Sequence, residues 1–151
     1  MTKQILEGIN ILDFSWALVG SITTKQLGDH GASVVKIETS KRVDLARADR
    51  QVSVSRPDNL DDKPWFTHLN TSKYSFALNL KNPRAGEVVD RLIKWADVVV
   101  ENFTPGTMKK LNLDYESIKK KKPDIIMASG SGNPGQKMKF VTGAHNRESF
   151  G

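Results

Sequence analysis

The residues best suited to chemistry in this sequence are lysines and arginines in the loops that follow predicted strands. They are Lys41, Arg42, Arg47, Lys81, Lys109 and Lys110. In an open parallel sheet, ligands bind outside the carboxyl ends of the strands. Arginine offers phosphate a bidentate contact and lysine offers it a point charge, so this set suits a ligand with several phosphates. Spacing alone favours ordinary surface charges, and the phosphate site stands as the second interpretation.

The side chains that most often perform catalysis or bind metals form no recognisable motif. The sequence has no cysteine, which excludes disulfides, thiolate catalysis and cysteine-bound metals. His30, His68 and His145 are scattered without the spacing of a metal site, so we predict no metal. Ser131 lies between two glycines, but it has no assignable partners and does not complete a nucleophile elbow. These patterns therefore identify no catalytic residue.

The turn after the first predicted strand lacks the glycines of a nucleotide-binding loop. Residues 15–20 read Ser-Trp-Ala-Leu-Val-Gly, without the three-glycine pattern that lets pyrophosphate approach a helix. The sequence also has no Walker A motif. Nicotinamide and nucleoside triphosphate binding are therefore disfavoured. Asp13 lies inside the apolar strand before this turn, and a capping role for its carboxylate is favoured over a role with substrate.

The apolar pattern predicts an α/β fold. Residues 9–14 and 33–38 have the composition of buried strands, and residues 21–29 have helical spacing with Gly31 as a stop signal. A strand, a helix and a second strand in this order are typical of a right-handed crossover between parallel strands. The sequence therefore predicts a Rossmann-like open parallel sheet with helices on its faces.

Further elements follow a long polar segment, residues 39–64, which we predict to be mostly loop with at most a short helix at 45–50. Strands are predicted at 74–80, 97–101 and 125–129. A helix is predicted after Pro83 with Trp95 in the core, and shorter helices are predicted around Met108 and after Asp114 as a cap. Glycines and prolines interrupt the pattern from about residue 131, so the rest is predicted to be irregular.

The charge balance favours anionic partners. The net charge is +6 and the isoelectric point is about 9.6, but part of this excess is the lysine run 119–122, which we interpret as a solvated helix end. No aromatic residues alternate with these lysines, so nucleic-acid binding is disfavoured. Apolar runs are too short to cross a bilayer and the start lacks a signal-peptide pattern, so we predict no membrane partner and a cytoplasmic location.

Several blocks of the sequence closely resemble the amino-terminal part of class III CoA-transferases. This group includes formyl-CoA transferase, carnitine CoA-transferase and α-methylacyl-CoA racemase. The blocks are residues 6–14, 28–38, 70–81, 96–106 and 123–130, which agree with the family in order and spacing. The resemblance covers about residues 5–132. Several independent blocks make it far more specific than a single motif.

The resemblance implies that residues 1–132 form a partial Rossmann-like CoA-binding domain. That domain would be the incomplete amino-terminal part of a larger interlocked fold, usually a homodimer when full length. Coenzyme A would enter as the substrate thioester along the strand-end loops, with an acyl-CoA and a carboxylate as the two substrates. Residues 133–151 depart from the family and are predicted to be an irregular tail.

The resemblance also implies site residues. Ala17, Leu18 and Val19 would line the acyl or pantetheine end, and Lys41 or Arg42 would bind phosphates. The adenosine diphosphate region would be contacted by Leu78, Asn79, Leu80, Lys81, Asn102, Phe103 and Thr104, with Lys110 as a further cation. The sequence departs from the family at Ser21, where proline is usual, and at Thr39, where arginine or proline is frequent.

No residue here matches the nucleophilic aspartate of the family, which lies beyond this chain. The intact protein is therefore expected to be a CoA-transferase, and the isolated chain is expected to be inactive. Two alternatives remain open at this point. One is an α-methylacyl-CoA racemase, which would use a general acid and base. The other is a non-catalytic CoA-binding module or an inactive fragment.

Overall fold

One twisted sheet organises the part of the chain that the computed structural model describes, which is residues 3–48, 59–130 and 139–142. Its strands are β1 Asn10–Asp13, β2 Ser33–Glu38, β3 Lys73–Ala77, β4 Val98–Glu101, β5 Ile126–Ser129 and β6 Lys139–Thr142. The helices of these segments are α1 Val19–Asp29, α2 Leu45–Ala48, α3 Pro64–Asn70, α4 Ala85–Trp95, α5 Thr107–Lys110 and α6 Tyr115–Lys119.

The strand order is β3-β2-β1-β4-β5-β6. The first five strands are parallel and β6 pairs antiparallel with β5. Leu12 of β1 lies between Val35 of β2 and Val99 of β4. The predicted Rossmann-like parallel sheet is therefore confirmed, including the parallel pairing of the first strand with the second.

Successive residues of each strand point to opposite faces of the sheet, so each face has its own apolar layer. On one face Leu12, Ile37 and Val99 pack with Val89 and Ile93 of α4. On the other face the buried strand residues are Ile11, Val34, Val100 and Ala128, with Leu27 of α1 beside them. Helices therefore cover both faces, as predicted. Trp95 is half-buried against the first of these layers, which agrees with a role in the core.

One helix was not predicted from the sequence. Helix α3 begins with Pro64 at its first turn and buries Phe66 and Leu69. These two side chains pack with Ala46 of α2. Helix α2 lies in the segment 39–64, which we predicted to be mostly loop with at most a short helix at 45–50. The three apolar residues Trp65, Phe66 and Leu69 give too short a periodic signal to identify a seven-residue helix.

Strand β3 is one edge of the sheet and is shorter than predicted. Its last paired residue is Ala77, and the Leu78 amide then donates to the Glu38 carbonyl at 2.7 Å. Because β2 ends at Glu38, residues 78–80 have no strand to continue along. Tyr74 and Phe76 on this edge are 71% and 39% exposed.

Strand β6 lies inside the tail for which we predict an irregular course. It supplies backbone partners to β5, which would otherwise be an open edge, and this explains why a strand forms in a sequence without a clear period. The rest of the predicted tail, residues 131–138 and 143–151, lies outside the described residues. No helix among those that the structure describes is long and apolar enough to span a membrane.

Gly20, in the first turn of α1, allows the helix to approach the loop after β1. A Cβ atom at this position would lie 2.2 Å from the Ser15 Cβ and 2.7 Å from its Oγ. Ser15 is fully buried, so its side chain cannot move away. A side chain at position 20 would therefore push α1 away from the carboxyl end of β1.

We predict that Gly20→Ala lowers the free energy of unfolding by on the order of 2 kcal/mol, the usual cost of forcing extra atoms into a packed interior. Urea denaturation monitored by circular dichroism measures this change. Gly86→Ala is the matched control, because a Cβ there meets nothing within 4 Å and alanine is favoured in a helix, so this change raises stability by about 0.5 kcal/mol. Equal effects of the two substitutions would contradict the steric explanation.

Candidate functional site

The loop after β1, residues 15–18, is held by side chains from β1, from β2 and from the residue before α2. The Ser15 amide and hydroxyl both donate to Asp13 Oδ1, at 2.8 and 2.5 Å. The Ser15 carbonyl accepts from Lys36 Nζ at 2.5 Å. The Ala17 amide donates to Asp44 Oδ1 at 2.9 Å. This loop has no regular secondary structure, and these bonds replace the backbone partners that a helix or strand would give.

Asn102, directly after β4, holds the same loop from the other side. Its Oδ1 accepts from the Trp16 amide at 2.8 Å and its Nδ2 donates to the Trp16 carbonyl at 2.6 Å. The carboxamide thus pairs with both backbone groups of one residue. These two hydrogen bonds join the loops after β1 and β4. The strand order reverses between β1 and β4, and open parallel sheets bind their ligands at such a point.

Trp16 is the centre of a small aromatic and cationic group. Its ring lies edge-on to Phe103, with 5.8 Å between the ring centroids. The Arg42 guanidinium lies over the Trp16 ring at 5.1 Å, within the range of a cation–π contact. Three predicted site residues therefore contact Trp16, namely Arg42, Asn102 and Phe103. Trp16 itself was not among the site residues predicted from the sequence.

Two lysines and two aspartates are buried beneath this loop. Lys36 Nζ lies 3.1 Å from Asp44 Oδ2, and Lys73 Nζ lies 3.2 Å from Asp13 Oδ2. All four side chains are at most 2% exposed. An unpaired charge in such a place is very costly, so each lysine needs the aspartate with which it pairs. The available sequence signal was Lys36, a lysine between apolar residues in a predicted strand, whereas Lys73 directly precedes a predicted strand.

The role of Asp13 differs in part from the one predicted. Its oxygens accept from Ser15, from the Thr24 hydroxyl at 2.6 Å and from Lys73. The residue at the N-cap of α1 is Leu18, so Asp13 is not the helix cap. Its carboxylate instead ties the end of β1 to the middle of α1 and to β3, which is a structural role.

The Lys73 side chain is buried and its ammonium is surrounded by acceptors. Its ammonium donates to Asp13, to the Ser21 carbonyl at 2.8 Å and to Asn70 Oδ1 at 2.9 Å. Burial lowers the pKa of Lys73 to about 8, and the attraction of Asp13 offsets only part of that effect. Ser21, which stands where proline is usual in the family, thus supplies its carbonyl to one lysine and its hydroxyl to the other, Lys36 at 3.3 Å.

Arg47 was predicted as a possible phosphate-binding cation, but its guanidinium is engaged by carboxylates of the chain. It donates to both oxygens of Glu38, at 2.9 and 2.8 Å, and to Asp61 Oδ1 at 2.6 Å. Its guanidinium also lies 3.4 Å above the Phe66 ring. Burial opposes ionisation of Glu38, but the bonds from Arg47 and Ser75 outweigh it and keep the pKa of Glu38 below its usual value. Arg47 therefore has a structural role.

The other predicted cations remain available. Lys41, Arg42, Lys81, Lys109 and Lys110 are exposed, and no carboxylate among the described residues forms an ion pair with any of them. They follow β2, β3 and β4, whose carboxyl ends share one edge of the sheet. Positive charges near the strand ends attract an anionic ligand by their summed field.

The remaining predicted site residues lie at the same edge. Leu78, Asn79 and Leu80 are half-buried, and Asn79 Oδ1 accepts from the Lys81 amide at 3.1 Å, which turns the chain after β3. Ala77, Leu78 and Asn79 line a cleft of about 380 Å³ with the start of α4. Thr104 is exposed, and its hydroxyl lies 3.0 Å from that of Thr107.

Leu18 and Val19, at the start of α1, form an apolar surface beside these charges. They are 47% and 46% exposed, and Ile22 one turn later is 39% exposed. Exposed apolar residues next to a polar edge are typical of a binding surface rather than of a solvated helix. Ala17 is half-buried in the loop before them and has a left-handed φ of 56°.

The described residues contain no group of three histidines or carboxylates placed to hold a metal ion. His30 is exposed and its Nδ1 lies 2.7 Å from the Gln26 carbonyl, so it is engaged by its own helix. His145 lies outside the described residues.

Comparison with known proteins identifies the family. The family model for CoA-transferase family III matches residues 6–142. The chain belongs to CoA-transferase family III. It is 40% identical over 129 residues to a formyl-CoA:oxalate CoA-transferase of Afipia carboxidovorans, covering 85% of this chain and 29% of the relative. It is 40% identical over 132 residues to a protein of the same name from a Bradyrhizobium species, covering 87% of this chain and 30% of the relative.

Solved structures agree with the family assignment. A CAIB/BAIF family protein from Brucella suis superposes with a TM-score of 0.74 at 30% identity, covering 85% of this chain and 33% of that one. A protein from Mycobacterium tuberculosis superposes with a TM-score of 0.73 at 32% identity, covering 87% and 36%. The chain therefore spans about a third of the length of these family relatives.

We predict that the contribution of Lys73 to stability rises with pH. The unfolded chain keeps this proton up to the ordinary pKa of 10.5, whereas the folded chain releases it near 8. Unfolding between these values therefore takes up a proton, and the free energy of unfolding gains up to roughly 3 kcal/mol across the window. Urea unfolding across this pH range, with Lys73→Met compared with wild type, measures the gain.

Lys94→Met is the control for this measurement, because it removes an exposed lysine of α4 and should keep the wild-type pH dependence. A constant stability difference between wild type and Lys73→Met across the window would show that the pKa of Lys73 is not lowered.

Proposed function

We propose that the intact protein is a CoA-transferase that moves coenzyme A between an acyl-CoA thioester and a carboxylic acid. The family assignment supports this proposal, as do curated relatives named as transferases of this kind. Those names favour CoA transfer over the acyl-CoA racemisation that the resemblance also allows. In this proposal the present chain supplies the strand-end part of the CoA site, and the intact protein is a homodimer.

The observation that carries the proposal is the pairing pattern of charges at the strand ends. Three acidic residues there, Asp13, Glu38 and Asp44, are each bonded to a lysine or arginine, and Glu101 accepts from the Phe103 amide. Lys41, Arg42 and the other exposed cations have no such partner among the described residues. The field at this edge is therefore positive, as a ligand with phosphate groups requires.

The edge also offers two kinds of surface to one elongated ligand. In the proposal the phosphates of coenzyme A contact the cations after β2 and β3, namely Lys41, Arg42 and Lys81. The pantetheine and acyl end lies against Leu18 and Val19, whose apolar side chains are almost half exposed. A charged end and an apolar end are what distinguish coenzyme A from a simple phosphate ester.

The chemical step needs a nucleophile from elsewhere in the intact protein. A carboxylate that attacks the thioester must be free to reach its carbonyl carbon, where it forms an acyl anhydride and releases CoA thiolate. Asp13 and Asp44 are buried and each forms an ion pair with a lysine, and Glu101 is 8% exposed and accepts from the Phe103 amide. The described strand ends therefore offer no carboxylate suited to this role.

We predict that the chain binds free coenzyme A and that Lys41→Ala with Arg42→Ala raises the Kd roughly tenfold, because hydrogen bonds to charged groups contribute about 1.5 kcal/mol or more. Isothermal titration calorimetry measures both values. Binding of pantetheine, which lacks the phosphates, should be unchanged by this pair of substitutions.

Lys94→Ala is the charge-matched control, since Lys94 is exposed at the end of α4 that lies away from the strand ends. It should leave the Kd for coenzyme A within about twofold, because a single distant exposed charge is screened by salt. No binding by the wild-type chain, or equal effects of the two sets of substitutions, would refute the proposed site.

We further predict that the isolated chain does not transfer CoA, because the described strand ends offer no carboxylate free to attack the thioester. The assay mixes a donor acyl-CoA with a free carboxylic acid and follows the new thioester by chromatography. Formation of that thioester above the rate without protein would contradict this limit.

A further inference from the structure

Ala17 has a backbone conformation that needs external support. Among the described residues, three that are not glycine have a positive φ, namely Ala17, Ser72 and Asn112. Asparagine tolerates this region, and the Ser72 hydroxyl is bonded to Asp29 at 2.7 Å. Alanine has no polar side chain with which to stabilise itself. Such strain persists only where the surroundings impose it.

Asp44 supplies that support. Its Oδ1 accepts from the Ala17 amide and from the Ala46 amide, both at 2.9 Å. The same residue receives backbone bonds from Arg47 and Ala48 at its carbonyl, so it is fixed at the start of α2. One carboxylate oxygen therefore links the loop after β1 to the segment after β2.

Lys36 fixes the other half of this link. Its ammonium lies 3.1 Å from Asp44 Oδ2 and donates to the Ser15 carbonyl, two residues before Ala17. Lys36 is 1% exposed and Asp44 is 3% exposed, so neither can touch a ligand at the surface. Buried ion pairs are often no more stabilising than apolar residues of similar volume. A role in stability alone therefore does not account for these charges.

We propose that Lys36 and Asp44 are positioning residues for coenzyme A. They hold Ala17 in its left-handed conformation, and this conformation directs the chain into α1 so that Leu18 and Val19 present their exposed apolar surface. A loop that is already in its bound shape loses less conformational freedom when the ligand arrives, which increases affinity. This inference rests on the proposed CoA site. It assigns a role in that site to two buried residues that do not themselves contact the ligand.

The test replaces the pair with apolar residues, as Lys36→Met together with Asp44→Leu. No unpaired charge is left inside, so the variant is expected to fold cooperatively. Calorimetry should show the Kd for coenzyme A raised at least tenfold at a temperature where the variant is folded. Hydrogen exchange of the residue 17 amide, followed by NMR, should be at least tenfold faster than in wild type because its acceptor is gone.

Ala17→Gly supplies a second measurement that does not depend on that double variant. Glycine adopts a positive φ without strain, so Asp44→Asn should weaken binding several-fold less in the Ala17→Gly background than in wild type. Ile93→Ala is the stability control, because it opens a cavity in the core at a distance from the loop. It should leave both the Kd and the exchange rate at residue 17 within about twofold at a temperature where it is folded.

The outcomes separate this inference from the proposed function. Unchanged exchange at residue 17 in the apolar double variant overturns the positioning role, whether or not coenzyme A binds. Faster exchange with an unchanged Kd overturns it as well, because the loop would then be irrelevant to binding. A wild-type chain that does not bind coenzyme A at all overturns the proposed function, and with it the ligand that this inference assigns.

Discussion

The structure depends on four buried charges at the carboxyl ends of its central strands. The pairs formed by Lys36 with Asp44 and by Lys73 with Asp13 join β1, β2, β3 and the segment before α2 beneath a single loop. Each ammonium has acceptors on several elements, so the site forms only when all of them are in place. Hydrophobic packing builds the two faces of the sheet, but these polar contacts determine the shape of its edge.

That edge combines a fixed interior with an adaptable surface. Asn102 and Asp44 engage the backbone at Trp16 and Ala17, while the exposed cations around them form no ion pair with a described carboxylate and Arg42 lies over the Trp16 ring. The residues that shape the loop therefore differ from those that are exposed around it. Asn102, which the family resemblance suggests as a ligand contact, directs its carboxamide to Trp16 and supports the loop.

The sequence predicted the sheet well because strong apolar runs and turn signals repeat along it. It also predicted which loops carry the cations, since that follows from parallel connectivity alone. It did not predict α3, whose apolar signal is three residues in one short segment, or the pairing of Arg47 with Glu38. Which of several lysines is buried and which is exposed depends on contacts between segments far apart in sequence. Lys36 and Lys73 show this most clearly, because Lys36 lies in a predicted strand, Lys73 directly precedes one, and the side chains of both are buried in ion pairs.

The open edge at β3 has a practical consequence for handling this chain. Strands with unpaired backbone groups and outward aromatic side chains, such as Tyr74 and Phe76, tend to join the same strand of another molecule. The net charge of +6 keeps molecules apart by mutual repulsion. Salt shortens the range of that repulsion, so concentrated stocks should be kept at low ionic strength and below the isoelectric point.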